Sequence, residues 1–223
     1  MKEIKTWDEL KKVISKYYCY ATDYDGTIID SMPTWYHFAS RYVESKGLTP
    51  KPGLDDSIKY KSNIDAARKI YEDYHILQNA AEVCEDINKF MFDVYPTLPL
   101  KKNSLELLKL LSISGRNLLS SATPEVLLVP SAKAQQIIGY YKDIYSASDL
   151  DRSKESGALF KYILREESID RDQLLVIEDS ITAMKICKKM KIDTLIVADY
   201  SNKNDMKDIK KYATYYADIT NLV

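Results

Sequence analysis

Two aspartates, two residues apart, close an apolar run in the stretch YATDYDGTIIDS, residues 20 to 31. The run Tyr17, Tyr18, Cys19, Tyr20, Ala21 and Thr22 is aromatic and β-branched and predicts a buried strand ending in an Asp23-Tyr24-Asp25-Gly26-Thr27 turn. Residues i and i+2 of an extended chain share a face, so Asp23 and Asp25 converge, and converging carboxylates repel unless a cation or proton separates them. Taken alone, the pair reads first as a solvated, Asx-rich turn, and other residues must decide.

Three further stretches carry groups that could complete a site. NLLSSATP offers Ser120, Ser121 and Thr123 ahead of Pro124; hydroxyls and free amides at a helix N-terminus form an anion cradle, although Ser and Thr are also the commonest N-caps. DLDRSKES holds Lys154 in a polar loop, where a lysine is ordinarily just solvated. LLVIEDS sets Glu178 and Asp179 after an apolar run, where Asp179 or Ser180 could instead cap the next helix. If these strand ends share one edge of a sheet, the site joins clustered carboxylates, an anion cradle and one lysine. Clustered carboxylates call for a hard divalent cation, and oxygen ligands with exchangeable water suit magnesium.

The elements that must position these groups are legible in the hydrophobic pattern. Trp35, Phe38, Ala39, Tyr42 and Val43 recur with helical spacing, as do Ala80, Val83, Cys84, Ile87, Phe90 and Met91, so residues 32–96 read as an all-helical insertion. Pro33 on one side and Pro96 and Pro99 on the other suggest hinge-like linkers. Beyond them helices (104–111, about 126–138, 158–165, 181–190) alternate with short apolar strands (117–119, 144–147, 174–177, 194–197). That alternation predicts an α/β fold with a doubly wound parallel sheet, in which ligands bind outside the carboxyl ends of the strands. The expected organisation is a core of residues 1–31 and 97–223 carrying a helical cap at 32–96.

Composition narrows the partners. The 223 residues are 45% hydrophobic, and 32 Lys plus Arg stand against 33 Asp plus Glu with no long single-sign run, which gives no push toward nucleic acid or an anionic membrane. No apolar run approaches the roughly 20 residues that span a bilayer, and the start MKEIKTWDELKKVISKYY alternates like an amphipathic helix, so a cytoplasmic protein without a signal peptide is expected. Cys19, Cys84 and Cys187 lack CxxC spacing and read as buried small hydrophobes; His37 and His75 lack zinc-site spacing. The chain holds 18 tyrosines, and YYKDIY and YATYY read as core edges because no basic patch interleaves with them.

DYDGTIIDS resembles the first motif, DxDGTxxDS, of the haloacid dehalogenase (HAD) superfamily, and Ser121, Lys154 and the Glu178-Asp179 pair are similar to its second, third and fourth motifs in order. DSMPTW, SSAT, EDSITAMKICKKMK and TLIVADYS also resemble the branch with phosphoglycolate-phosphatase-like and β-phosphoglucomutase-like members, whose helical cap would be residues 32–96. The resemblance implies a magnesium-dependent phosphatase acting on a small phosphorylated metabolite. Asp23 would be the nucleophile that forms an aspartyl-phosphate, and Asp25 the general acid and base, a duty best served by a pKa near neutrality. Magnesium would be held by the Asp23 carboxylate, the Asp25 carbonyl and Asp179, with Glu178 a ligand or just behind one. Ser121 and the Ala122 amide would hold the phosphoryl oxygens, Lys154 would neutralise charge on nucleophile and phosphate, and Gly26 would permit the tight turn. The second Asp disfavours dehalogenation.

The sequence also departs from that pattern. SIKYKSNIDAARKI lacks the Gly and nearby Arg of β-phosphoglucomutase-like proteins, which places a phosphatase ahead of a sugar phosphomutase, although Lys59, Lys61 and Arg68 could supply cap cations. KKNS at 101–104 replaces a Pro-Gly turn frequent in relatives, a change expected to touch the hinge and leave the chemistry alone. A module that accepts phosphate without turnover, as receiver domains do, is the non-enzymatic alternative; receiver domains carry the acidic pair and the phosphorylated Asp on separate strands. The substrate and the oligomeric state are not written in the sequence.

Overall fold

The computed structural model describes residues 1–58 and 63–223. In chain order the elements are β1 (Lys2–Ile4), α1 (Trp7–Ile14), β2 (Cys19–Thr22), α2 (Met32–Trp35), α3 (Phe38–Ser45), α4 (Leu54–Ile58), α5 (Asn63–Tyr74) and α6 (Ala80–Val94). Then follow α7 (Ser104–Ser114), β3 (Arg116–Ser121), α8 (Glu125–Ala134), β4 (Asp143–Ser146), α9 (Ala158–Glu166), β5 (Leu174–Glu178), α10 (Ile181–Met190), β6 (Asp193–Val197), α11 (Met206–Tyr212) and β7 (Tyr215–Ala217). Short 3-10 turns lie at Tyr95–Thr97, Ile138–Tyr140, Arg171–Gln173 and Ile219–Asn221.

The strands form one parallel sheet in the order β1-β7-β6-β5-β2-β3-β4. The expected α/β, doubly wound parallel fold is therefore present. β2 sits at the switch point: the chain builds outward through β3 and β4 on one side and through β5, β6 and β7 on the other. All residues of β2 and β5 are buried, as strands covered on both faces must be, so their side chains can turn polar only where the strands end. Local signals fix the helices that follow. Ser180 caps α10 by accepting from the Ala183 amide at 3.3 Å, and Lys188 and Lys189 occupy its last turn, where cations complement the helix dipole.

Among the described residues the segment between β2 and β3 is helical from α2 to α7, apart from turns and linkers. The inbound and return linkers pair antiparallel: Asp30 N donates to Pro99 O and Lys101 N to Ile28 O, each at 2.9 Å, and Ile29 bridges Leu100. Pro33 lies inside the first turn of α2, where its missing N–H costs nothing, and not in a linker.

Several expectations change. The N-terminal stretch is a three-residue edge strand before the short helix α1, because Ile4 is buried and β1 pairs with β7. The strand after it is only Cys19–Thr22; Tyr17 is buried and bonded to Asp193 at 2.7 Å, and Tyr18 is exposed. The helix expected to reach 138 ends at Ala134. YATYY supplies β7, with Tyr215 buried, and within YYKDIY Tyr141 and Tyr145 are buried, in accord with core edges. Cys19 and Cys187 are buried, Cys84 is half-buried, and all three are free thiols. His37 caps α3 and His75 follows α5 with φ 50°, so neither lies within a helix. No helix among the described residues is long and apolar enough to cross a membrane. Phe160 is fully buried on α9 among Leu159, Ile163 and Leu174, so Phe160→Ala should cost about 3–5 kcal/mol in urea unfolding; a loss under about 1 kcal/mol would contradict this packing.

Candidate active site

Four strand ends bring the predicted groups together. Asp23 follows β2 and its amide donates to Ile177 O of neighbouring β5 at 2.8 Å, so the two central strands stay in register up to the site. Carboxylate oxygens of Asp23, Glu178 and Asp179 lie within 4.8 Å of one another, and all three residues are buried. Lys154, which an isolated loop would leave solvated, is buried here: its Nζ donates to Asp23 Oδ1 at 2.5 Å and to Glu178 Oε1 at 2.7 Å. The second Glu178 oxygen accepts from the Ser180 amide at 2.9 Å.

Electrostatics follow from that crowding. Burial, foremost, pushes the Asp23 pKa well up; the Lys154 charge opposes this, and the neighbouring carboxylates reinforce it. Burial and then Glu178 raise Asp179 to about 8, against relief from its bond with Ser201 and from the charge of Lys101. Burial alone would lower Lys154, yet Asp23 and Glu178 more than offset it and hold the amine above its ordinary value. One ammonium among three buried carboxylates leaves the cluster short of positive charge. The donor set, all hard oxygens, fits a divalent cation of the magnesium or calcium type.

Asp25 is gripped from three sides. Trp35 Nε1 donates to its Oδ1 at 2.9 Å, the Tyr95 hydroxyl donates to the same oxygen, and Thr123 Oγ1 donates to Oδ2 at 2.8 Å. Tyr95 is fully buried; burial, and after it the Asp25 charge, drive its pKa well up, which keeps the phenol protonated and a donor. Ser121 is buried and its Oγ accepts from the Thr123 amide at 3.0 Å, while Ala122 is exposed at the tip of the same turn. Gly26 has φ +73°, and a Cβ there would stand 2.5 Å from Asp179 Oδ2, so the turn admits only glycine this close to the carboxylates. Arg68 pairs with Asp65 at 2.7 Å, with both side chains about half exposed; Lys59 and Lys61 lie outside the described residues.

Six groups in or beside the site escaped the sequence reading. Trp35 looked like one more residue of a helical stripe, and nothing marked Tyr95. Beyond β6, Asp199 follows an apolar strand as Asp23 does, the signal that could have found it; Ser201 Oγ donates to Asp179 Oδ2 at 2.6 Å and Asn202 Nδ2 to Asp179 O at 2.9 Å. The KKNS segment reaches the turn that carries Asp23 and Asp25: Lys101 is buried and its Nζ donates to Gly26 O at 2.6 Å and to Asp199 Oδ2 at 2.7 Å. The long flexible stem of Lys101 carries its ammonium from the linker into the core.

The profile of the haloacid dehalogenase-like hydrolases matches residues 21–197, and the chain belongs to that family. No curated protein matches it significantly. Among solved structures it is similar to YfnB of Bacillus subtilis, described as a HAD-hydrolase and bound to magnesium (17% identity, 90% of this chain and 94% of that one, TM-score 0.69). It is also similar to a β-phosphoglucomutase from Clostridium difficile (18%, 92% and 92%, TM-score 0.70) and to a predicted phosphoglycolate phosphatase from Haemophilus somnus (12%, 92% and 96%, TM-score 0.73).

The cluster has a pH signature. An acid raised from 3.8 to about 8 on folding takes up a proton, so in the cation-free protein Asp179 makes stability fall as pH rises from about 4 to about 8, and no further above that. A divalent cation replaces the proton, so its apparent affinity should gain up to about tenfold per pH unit below pH 8. Thermal melts in EDTA and in MgCl2 at pH 5.5 and 8 should show a larger magnesium shift at pH 8, lost in Asp179→Asn; a shift equal at both pH values would count against the cluster.

Proposed function

We propose that the chain is a magnesium-dependent phosphatase that hydrolyses a small phosphomonoester through an aspartyl-phosphate on Asp23. The observation that carries the reading is the buried convergence of Asp23, Glu178 and Asp179 around one ammonium, with Asp25 two residues away on the same turn. A magnesium-bound relative of the same fold adds support. Asp23 and Asp179, with the Asp25 carbonyl and Glu178 beside them, would hold the cation, which when bound neutralises the nucleophile and the phosphoryl oxygens.

Asp23 attacks phosphorus, and the bond to the leaving oxygen breaks as Asp25 gives that oxygen a proton; Asp25 then takes a proton from the water that splits the acyl-phosphate. Ser121 and the Ala122 amide, at the turn that begins α8, receive phosphoryl oxygens, and Lys154 keeps its charge against Asp23 throughout. Helices α2 to α6, within the expected cap at 32–96, serve to exclude water and hang on the paired linkers 28–30 and 99–101. A cavity of about 670 Å³ between Tyr36, His37 and Asp55 of that cap and Tyr200 of the core suits a small leaving group; Tyr200 precedes Ser201, which contacts Asp179. The lack, in the cap segment SIKYKSNIDAARKI, of the Gly and nearby Arg of β-phosphoglucomutase-like proteins favours the phosphatase over a mutase, which must grip a second phosphate.

Asp23→Asn should abolish phosphate release from every phosphomonoester in a panel of small metabolites, and removal of magnesium should do the same; release that survives either change would refute the reading. Asp25→Asn should lower kcat/KM by about 100-fold or more for alkyl phosphates and far less for p-nitrophenyl phosphate, whose leaving group needs no proton. Equal losses on both substrates would remove Asp25 from the role of acid.

A further inference from the structure

Lys101 lies on the return linker, yet its ammonium is directed into the core. It donates to Gly26 O at 2.6 Å, Ala198 O at 2.8 Å and Asp199 Oδ2 at 2.7 Å, which uses all three of its N–H groups. The pair is shut off from solvent, the Lys101 side chain 7% and the Asp199 side chain 2% exposed. The contacts continue from there. Asp199 Oδ1 accepts from the Ser201 amide at 2.8 Å, and Ser201 Oγ donates to Asp179 Oδ2 at 2.6 Å. Asn202 closes the loop on itself, accepting from the Asp199 amide at 3.1 Å and donating to the carbonyls of Asp179 and Val197 at 2.9 and 2.8 Å.

A buried ion pair is a poor source of stability, because desolvation of both charges roughly cancels their attraction. Its effect here is geometric. The turn after β2 and the loop after β6 belong to strands that are not neighbours, since β5 stands between them, and no ladder joins them. Lys101 bridges the two across the back of the carboxylate cluster.

We propose that Lys101 is a positioning residue for the cation site: through Asp199 and Ser201 it fixes the Asp179 carboxylate, and through the Gly26 carbonyl it fixes the turn that carries Asp23 and Asp25. The inference rests on Asp179 being a cation ligand. Charge and position predict opposite signs. Were Lys101 only a nearby positive charge, Lys101→Met would make the site more negative and tighten magnesium; as a positioner, its loss lets Asp179 and the turn drift and weakens magnesium. Outer residues that orient metal ligands typically contribute 10–100-fold in affinity.

The test is calorimetric titration of the full chain with MgCl2, without substrate, so turnover plays no part. Lys101→Met should weaken binding by about tenfold or more. Because that variant strands a buried Asp199 and could unfold, Lys101→Met/Asp199→Leu replaces the pair with apolar groups at unchanged net charge and should be weakened similarly. Ser201→Ala, which changes no charge, should weaken binding several-fold, and Lys51→Ala, whose amine pairs with Asp73 at 3.2 Å on the cap, should not. Wild-type affinity in the double variant or in Ser201→Ala, or tightening in folded Lys101→Met, overturns the inference. A wild type that binds no magnesium overturns both the inference and the cation site beneath it, whereas a wild type that binds magnesium but releases no phosphate overturns only the phosphatase.

Discussion

Three carboxylates converge in a place that water scarcely reaches, and most of the molecule is arranged around their mutual repulsion. The parallel sheet creates the problem, since β2 and β5 are neighbours in register and both end in acids. Side chains buried among like charges must find a counter-charge, a proton or a hydrogen-bond donor. Lys154 supplies the first for Asp23 and Glu178, Ser201 supplies the last for Asp179, and the remaining deficit is what suits the cluster to a divalent cation. The glycine beside them follows from the same crowding, because even a methyl group at Gly26 would collide with Asp179.

The two linkers of the helical segment do more than tether it. Trp35, just inside the segment, and Tyr95, at its far end, both donate to one oxygen of Asp25, and their rings meet edge to face at 5.9 Å. Tyr24 and Ser131 extend this cluster toward α8: their hydroxyls are 2.9 Å apart, and Ser131 Oγ donates to Tyr95 O at 3.1 Å. Lys101 makes the corresponding attachment on the cation side. Both ends of the helical segment are thus fastened to Asp25, and the return linker also to the Gly26 carbonyl, so a movement of the segment would act on the reactive turn directly.

How much of this the sequence carried depends on range. The alternation of strands and helices from β3 to β6 was legible because the central strands β5 and β6 are covered on both faces and carry uninterrupted apolar runs, with a shorter apolar pair, Leu118 and Leu119, in β3. Of the eight expected site residues, Asp23, Asp25, Ser121, Lys154, Glu178 and Asp179 stand out in the sequence because each sits where a strand ends or in the loop beyond it, and Gly26 and Ala122 are their neighbours in the same turns. β1 and β7 were not: each is three residues long, β1 finds its partner only across the whole chain, and neither falls within the stretch matched by the family profile. Lys101 and Tyr95 were invisible for another reason. A lysine in a polar run and a tyrosine before a proline have no local signature of burial, and only tertiary packing turns them inward.

The edge strand β1 carries a kinetic consequence. Lys2 pairs with Tyr215 and Ile4 with Ala217, contacts that span nearly the entire sequence. Loop-closure entropy makes such pairings late, and during synthesis, which runs from the N-terminus, β1 emerges before β7 and must wait for it. Until then Ile4 and the apolar face of α1 have no complete surface to cover them, while the strands that carry the carboxylates can already assemble. On that order the reactive turn is set before the edge of the sheet is sealed, and Lys2–Ile4 are among the last residues to find their place.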